Sequence, residues 1–105
     1  LSIGLVTDTR PTDAISRLVR KVDLLFSEAT FGSDEDQQRA VERKHMTFRE
    51  AAELARQAGA RRLVLTHFSP ALVEPEVYVA NAAAVFPETV VGRDHLTLSL
   101  RFPHD

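Results

Sequence analysis

The sequence predicts a layered α/β fold, and three observations carry that prediction. Short apolar runs stand at 2–7, 23–27 and 62–66, capped or amphipathic helical stretches separate them, and each run leads into a chemically loaded residue: Asp8, Glu28 and His67. Strands covered on both faces read as unbroken apolar runs, as LLF does in the second. An open α/β sheet places its site in the crevice outside the carboxyl ends of its strands, so these three residues are expected to share one site. An Asp and a His meeting there point to a metal or hydrolytic centre more readily than to an apolar pocket.

After the first strand, DTRPTD is a turn punctuated by Pro11, and Thr12 or Asp13 caps a helix with Ile15, Leu18, Val19 and Val22 at approximately helical spacing. The second strand runs from Asp23 to Ser27. GSDEDQQRAVERKH is the most polar stretch and reads as a solvated helix or a loop. Thr47 and Glu50 then form a capping box, in which each residue bonds a free N–H at the other's position. The helix they open carries Phe48, Ala51, Ala52, Ala55 and Ala58 on one face and ends at Gly59, a favourable left-handed C-cap. Alanines on that face imply close approach to a sheet. Arg62 to Thr66 is the third strand, Glu74 and Pro75 open a helix running to about Phe86, and Thr89 to Val91 is a fourth strand. His95 to Leu100 alternates as an edge strand does. The order β-α-β-α-α-β-α-β-β requires helices over at least one sheet face.

Composition narrows the chemistry. The 105 residues make one domain or a piece of one, with 44% hydrophobic and 27% charged residues and a formal net charge of −2. That balance gives no whole-chain footprint for nucleic acid or anionic membrane. With no cysteine, thiolate metal sites and disulfides are excluded, and any metal must be held by His, Asp or Glu. No apolar run reaches membrane-spanning length, and the expectation is a cytoplasmic protein. The chain opens directly inside a strand, which suggests a fragment of a longer one.

Each candidate residue has a chemical and a purely structural reading. Asp8 can bridge two metal ions or close an Asx-turn. Arg10 can bind phosphate or pair with an acidic neighbour. His67, at the exit of LVLT, can reach a metal or hydrogen-bond a carbonyl. His45, just before the capping box, can donate a proton to a leaving oxygen with Glu28 orienting it, or be an ordinary loop histidine. There is no Gly-rich phosphate loop, G-x-S-x-G elbow, HExxH or His-x-His cluster.

Taken in order, TDTRPTD, DLLFSEATF, HMTFREAAELA and RRLVLTHFSP resemble the C-terminal half of the ribonuclease Z family of metallo-β-lactamase-fold hydrolases. That family has a G-D-T-R type turn, H-E-A-T, H-S-T before an Ala-rich helix, L-T-H-x-S, and F-P with an Asp seven residues on, here Phe86, Pro87 and Asp94. The resemblance implies an αββα sandwich of which residues 1–105 are the C-terminal βα half, with a mixed sheet and covering helices. It implies two zinc ions, with manganese or cobalt as substitutes, Asp8 as the carboxylate they share and His67 as a ligand of one. Glu28 and His45 become the pair assisting proton transfer, while Arg10 and Ser69 are expected to contact substrate. A metal-bound hydroxide would then remove 3′ extensions from precursor transfer RNA. A half-sandwich would expose the inner face of its sheet, so the isolated chain is expected to self-associate, as a homodimer, or to be molten.

The chain departs from the pattern at Ser27, where the family has His before Glu-Ala-Thr, at Met46 within the H-S-T segment, and at Pro70-Ala71, where Arg-Tyr is common. The H-x-H-x-D-H motif supplying most metal ligands belongs to the family's first half and is not in this chain. The 105 residues alone are therefore expected to be inactive. Another phosphodiesterase or arylsulfatase-like hydrolase of this fold, or a non-catalytic α/β scaffold, are the alternative readings.

Overall fold

Four parallel strands in the order β1-β2-β3-β4 form the sheet of the computed structural model, which describes residues 2–7, 9–66 and 75–92. They are β1 (Ile3–Val6), β2 (Leu24–Glu28), β3 (Arg62–Thr66) and β4 (Thr89–Val91). Parallel neighbours need crossovers, and the connections supply α1 (Asp13–Leu18), α2 (Gln37–Arg43) with α3 (Phe48–Ala58), and α4 (Val79–Ala83). The expected mixed sheet is thus parallel throughout its described strands, and the edge strand expected at 95–100 lies outside the described residues.

One face of the sheet meets α1, α3 and α4. Val6, Leu25, Leu63 and Leu65 pack there with Phe48, Ala51, Ala52, Leu54, Ala55 and Ala58 in one buried cluster. The small side chains of α3 let its backbone lie close on the strands, as the alanine pattern implied. Alternation sends Ile3, Leu5, Leu24, Phe26, Glu28 and Val64 to the other face. On that face Ile3 and Leu5 remain 59% and 69% exposed, more than strand residues of a finished core tolerate.

Local chemistry sets the helix ends. The Thr12 side chain accepts from Ile15 N, and the Thr47–Glu50 capping box is complete in both directions. Gly59 takes φ 72, with its own N–H on Arg56 O and that of Ala60 on Ala55 O, a Schellman ending. Lys44 closes α2 in the same way at φ 58. The polar stretch therefore resolves into a 3-10 turn at Asp34–Asp36 followed by α2. Two expectations change. Leu18 is 84% exposed because α1 ends there and Val19 turns into the core instead. The helix expected up to Phe86 is a 3-10 turn at Pro75–Tyr78 and the shorter α4.

Two tertiary ties hold the strand ends. Asp23 accepts from the Ser2 N–H at 2.8 Å, which holds its carboxyl below the usual range. At the other end Asn81 donates to Gly32 O at 2.9 Å, and the Tyr78 ring lies where a Gly32 Cβ would be, 2.6 Å from it. Among the described residues no helix is long and apolar enough to cross a membrane. Replacing Gly32 by Ala is expected to cost roughly 1–3 kcal/mol by urea unfolding, because the ring must move off the loop. Tyr78→Gly, which removes the ring together with the Cβ that would stand 2.7 Å from the added methyl, should make that methyl nearly neutral; full additivity of the two changes would exclude this contact.

Candidate active site

The parallel register decides what meets at the carboxyl edge. Val6, Ser27 and Leu65 stand at one level across β1, β2 and β3, and Glu28 pairs with Thr66 one residue on. Asp8 and His67 each follow that level by two residues in sequence; they lie outside the described residues, as does Ser69. The ladder continues past Glu28 through Ala29 N to Thr66 O at 2.8 Å, then leaves the sheet toward the start of α3. There Phe31 bridges Thr47, and Phe48 N bonds Phe31 O at 2.9 Å. This short parallel contact sets the loop after β2 beside the loop that carries His45.

The Glu28 side chain is 1% exposed, and each of its oxygens has a partner. Thr30 donates its hydroxyl to Oε2 at 2.5 Å, and Oε1 lies 2.9 Å from Nδ1 of His45. A buried carboxylate is costly unless it is so paired. The His45 ring is 29% exposed, so the pair has a buried carboxylate behind and an imidazole toward solvent. With the carboxylate ionised, Nδ1–H donates to Glu28, and Nε2 is the nitrogen left to act on something else.

His45 owes its place to both helices beside it. Its N–H bonds Ala40 O at 2.9 Å in the Schellman ending of α2, and two residues later Thr47 caps α3. Arg10 completes the surround. Its Nη1 donates to His45 O at 2.9 Å and to Glu50 Oε1 at 2.6 Å, while Nη2 donates to Glu50 Oε2. Glu50 Oε1 also accepts the Thr47 N–H of the capping box at 3.0 Å. Arg10, expected to touch substrate, directs Nη1 and Nη2 to His45 and Glu50 while its side chain stays 26% exposed.

Of the six residues singled out in the sequence, the described structure joins Glu28 and His45 directly and adds Arg10 through the His45 backbone. Thr30 and Glu50 were missed as site residues. Thr30 stands two residues after Glu28 at the strand exit, within reach of its carboxylate; Glu50 was visible only as a cap, although a carboxylate has more acceptor sites than one N–H fills. Among the described residues no group of three or more His, Asp or Glu side chains is placed to hold a metal ion. Asp8 and His67 supply oxygen and nitrogen donors of suitable type, but fewer than the three or four a zinc site takes from protein.

An α/β half-layer with a carboxylate–imidazole pair at its carboxyl edge is matched at the level of sequence. Residues 2–68 match the beta-lactamase superfamily domain, and the chain belongs to that superfamily. Its curated relatives in Clostridioides difficile (strain 630) and Clostridium botulinum (strain Eklund 17B / Type B) are both named ribonuclease Z. They are 48% and 50% identical over 102 residues, which is 97% of this chain but 33% and 32% of theirs. The chain thus spans about a third of the length of the relatives it matches. Among solved structures, the metallo-beta-lactamase fold protein YhfI of Bacillus subtilis superposes with a TM-score of 0.76 at 28% identity, over 87% of this chain and 36% of that one. The short form of human tRNase Z gives 0.65 at 31% identity, over 86% and 29%.

Thr30→Val removes the donor to Glu28 Oε2 while keeping the shape. It is expected to cost roughly 1–3 kcal/mol in urea unfolding, the penalty of an unsatisfied buried acceptor, and Thr30→Ser should restore most of it. Equal stability of the Val and Ser variants would show that the hydroxyl does not support the carboxylate.

Proposed function

We propose that this chain is the C-terminal βα half of a metal-dependent phosphodiesterase of the ribonuclease Z type, acting on the 3′ extension of precursor transfer RNA. The observation that carries the reading is the 2.9 Å contact between the buried Glu28 carboxylate and the part-exposed His45 ring. The relatives named ribonuclease Z support the substrate class, as does the structural likeness to the short form of human tRNase Z.

Hydrolysis of a phosphodiester forms one P–O bond from water and breaks another, whose electron pair leaves on the departing oxygen. That oxygen needs a proton. Protonated His45 gives it from Nε2, and Glu28 holds Nδ1–H so that the ring presents the correct nitrogen. The other product is a phosphate monoester whose new oxygen comes from the water. Asp8 and His67 are the residues of this chain that would hold the metal, and divalent zinc, or manganese in its place, would supply Lewis acidity at the phosphoryl oxygen and activate the water.

The half-domain reading draws on two features of the chain. It matches a third of its relatives' length, and Ile3 and Leu5 leave apolar surface on the sheet face opposite α3. The remaining two thirds would supply the second sheet and the other ligands. We place the protein in the cytoplasm and as a homodimer, the latter supported by the apolar surface at Ile3 and Leu5.

The test is cleavage of a 3′-extended precursor transfer RNA by the longer protein with zinc or manganese. Asp8→Ala and His67→Ala should abolish cleavage, and His45→Ala should lower kcat by about 10²–10⁴-fold, the usual worth of a positioned proton donor. The 105-residue chain alone should be inactive. Undiminished cleavage by Asp8→Ala, or turnover by the isolated chain, would overturn the reading.

A further inference from the structure

Arg10 stands two residues after Asp8, in the turn that leaves β1, yet its guanidinium reaches the backbone of His45 and the first turn of α3. Two segments far apart in sequence meet on one planar fork: the β1 exit, and the stretch from the α2–α3 junction to the capping carboxylate. The side chain of Glu50 is 9% exposed and that of Arg10 26%, so the carboxylate end of the pair is withdrawn from water, where charge-assisted bonds keep their strength.

We propose that Arg10 and Glu50 are a positioning clamp for His45, fixing its backbone relative to the turn that carries Asp8; this rests on reading His45 as the proton donor. The His45 ring has one described anchor, Glu28, at Nδ1. A ring held at one nitrogen can still swing or shift with its main chain, and the junction between α2 and α3 is short. Arg10 removes that freedom by holding His45 O, while Glu50 holds Arg10 through both oxygens and stays tied to Thr47 N. A proton donor and the turn bearing a metal ligand would thereby keep a constant separation. Lysine cannot reproduce this arrangement, because a point-charge ammonium lacks the planar fork that meets a carboxylate with two parallel bonds.

The pair can be separated from helix capping. Glu50→Gln keeps an oxygen for the Thr47 N–H, since Gln also serves at that position of a capping box, but it loses the charge and the second acceptor for Arg10. In the longer protein, cleaving 3′-extended precursor transfer RNA with zinc, Arg10→Lys and Glu50→Gln are each expected to lower kcat roughly 10- to 100-fold, the effect of displacing a reacting group by about an ångström, with KM and bound zinc unchanged. In a His45→Ala background neither change should cost much more, because residues acting as one unit are not additive.

A rise in KM with kcat intact would make Arg10 a direct substrate contact and overturn the clamp. Losses that persist in full without His45 would overturn it too, by showing general structural damage. Either result leaves the proton-donor reading standing, whereas an unchanged kcat in His45→Ala alone would remove that reading and the clamp with it. If Arg10→Lys loses its cooperative thermal melt, Glu50→Gln decides between these outcomes.

Discussion

A carboxylate buried at the end of a central strand must find donors for both oxygens, and at Glu28 that demand organises the neighbourhood. One oxygen takes the Thr30 hydroxyl, which bends the chain back at the strand exit; the other takes the His45 ring, which draws the α2–α3 junction over the sheet edge. The loops then pair with each other through Phe31 and Thr47, so the backbone supports what the side chains require. Burial makes the arrangement specific, because water cannot stand in for a missing partner.

Parallel pairing is the second constraint. It brings the carboxyl ends of β1, β2 and β3 to one edge, while the alanine-rich side of α3 packs on one face of the sheet. Stability and chemistry are therefore divided between the two ends and faces of one sheet. The helix face is closed by small side chains, whereas the other face still shows Ile3 and Leu5 to solvent. Belonging to the beta-lactamase superfamily gives this asymmetry a natural place in a longer chain.

Much of this was legible in the sequence because the signals were local. The capping box at Thr47 and Glu50, the left-handed Gly59, and the strand Arg62–Thr66 each depend on residues within a few positions of one another. Leu18 was misread because helical spacing does not reveal where a helix stops, and α1 stops there. Likewise Pro75 marked a start, but not that the first turn would be 3-10. Glu28 and His45 could be matched as a pair through the family resemblance, 17 positions apart. The role of Arg10 could not be read this way: its partner Glu50 lies 40 positions on and already had a local explanation as a cap. A residue with two duties shows only the nearer one in sequence.

The claim on which the chemistry turns is that Glu28 holds the proton on Nδ1 of His45, leaving Nε2 to face the substrate. Long-range proton–nitrogen NMR on histidine-labelled longer protein reads the tautomer of each ring directly. A proton on Nδ1 of His45, with the neutral ring's bare nitrogen at Nε2 and that pattern lost in Glu28→Leu, which offers no acceptor, is the expected result. A neutral His45 carrying its proton on Nε2, or a spectrum indifferent to Glu28→Leu, would contradict it.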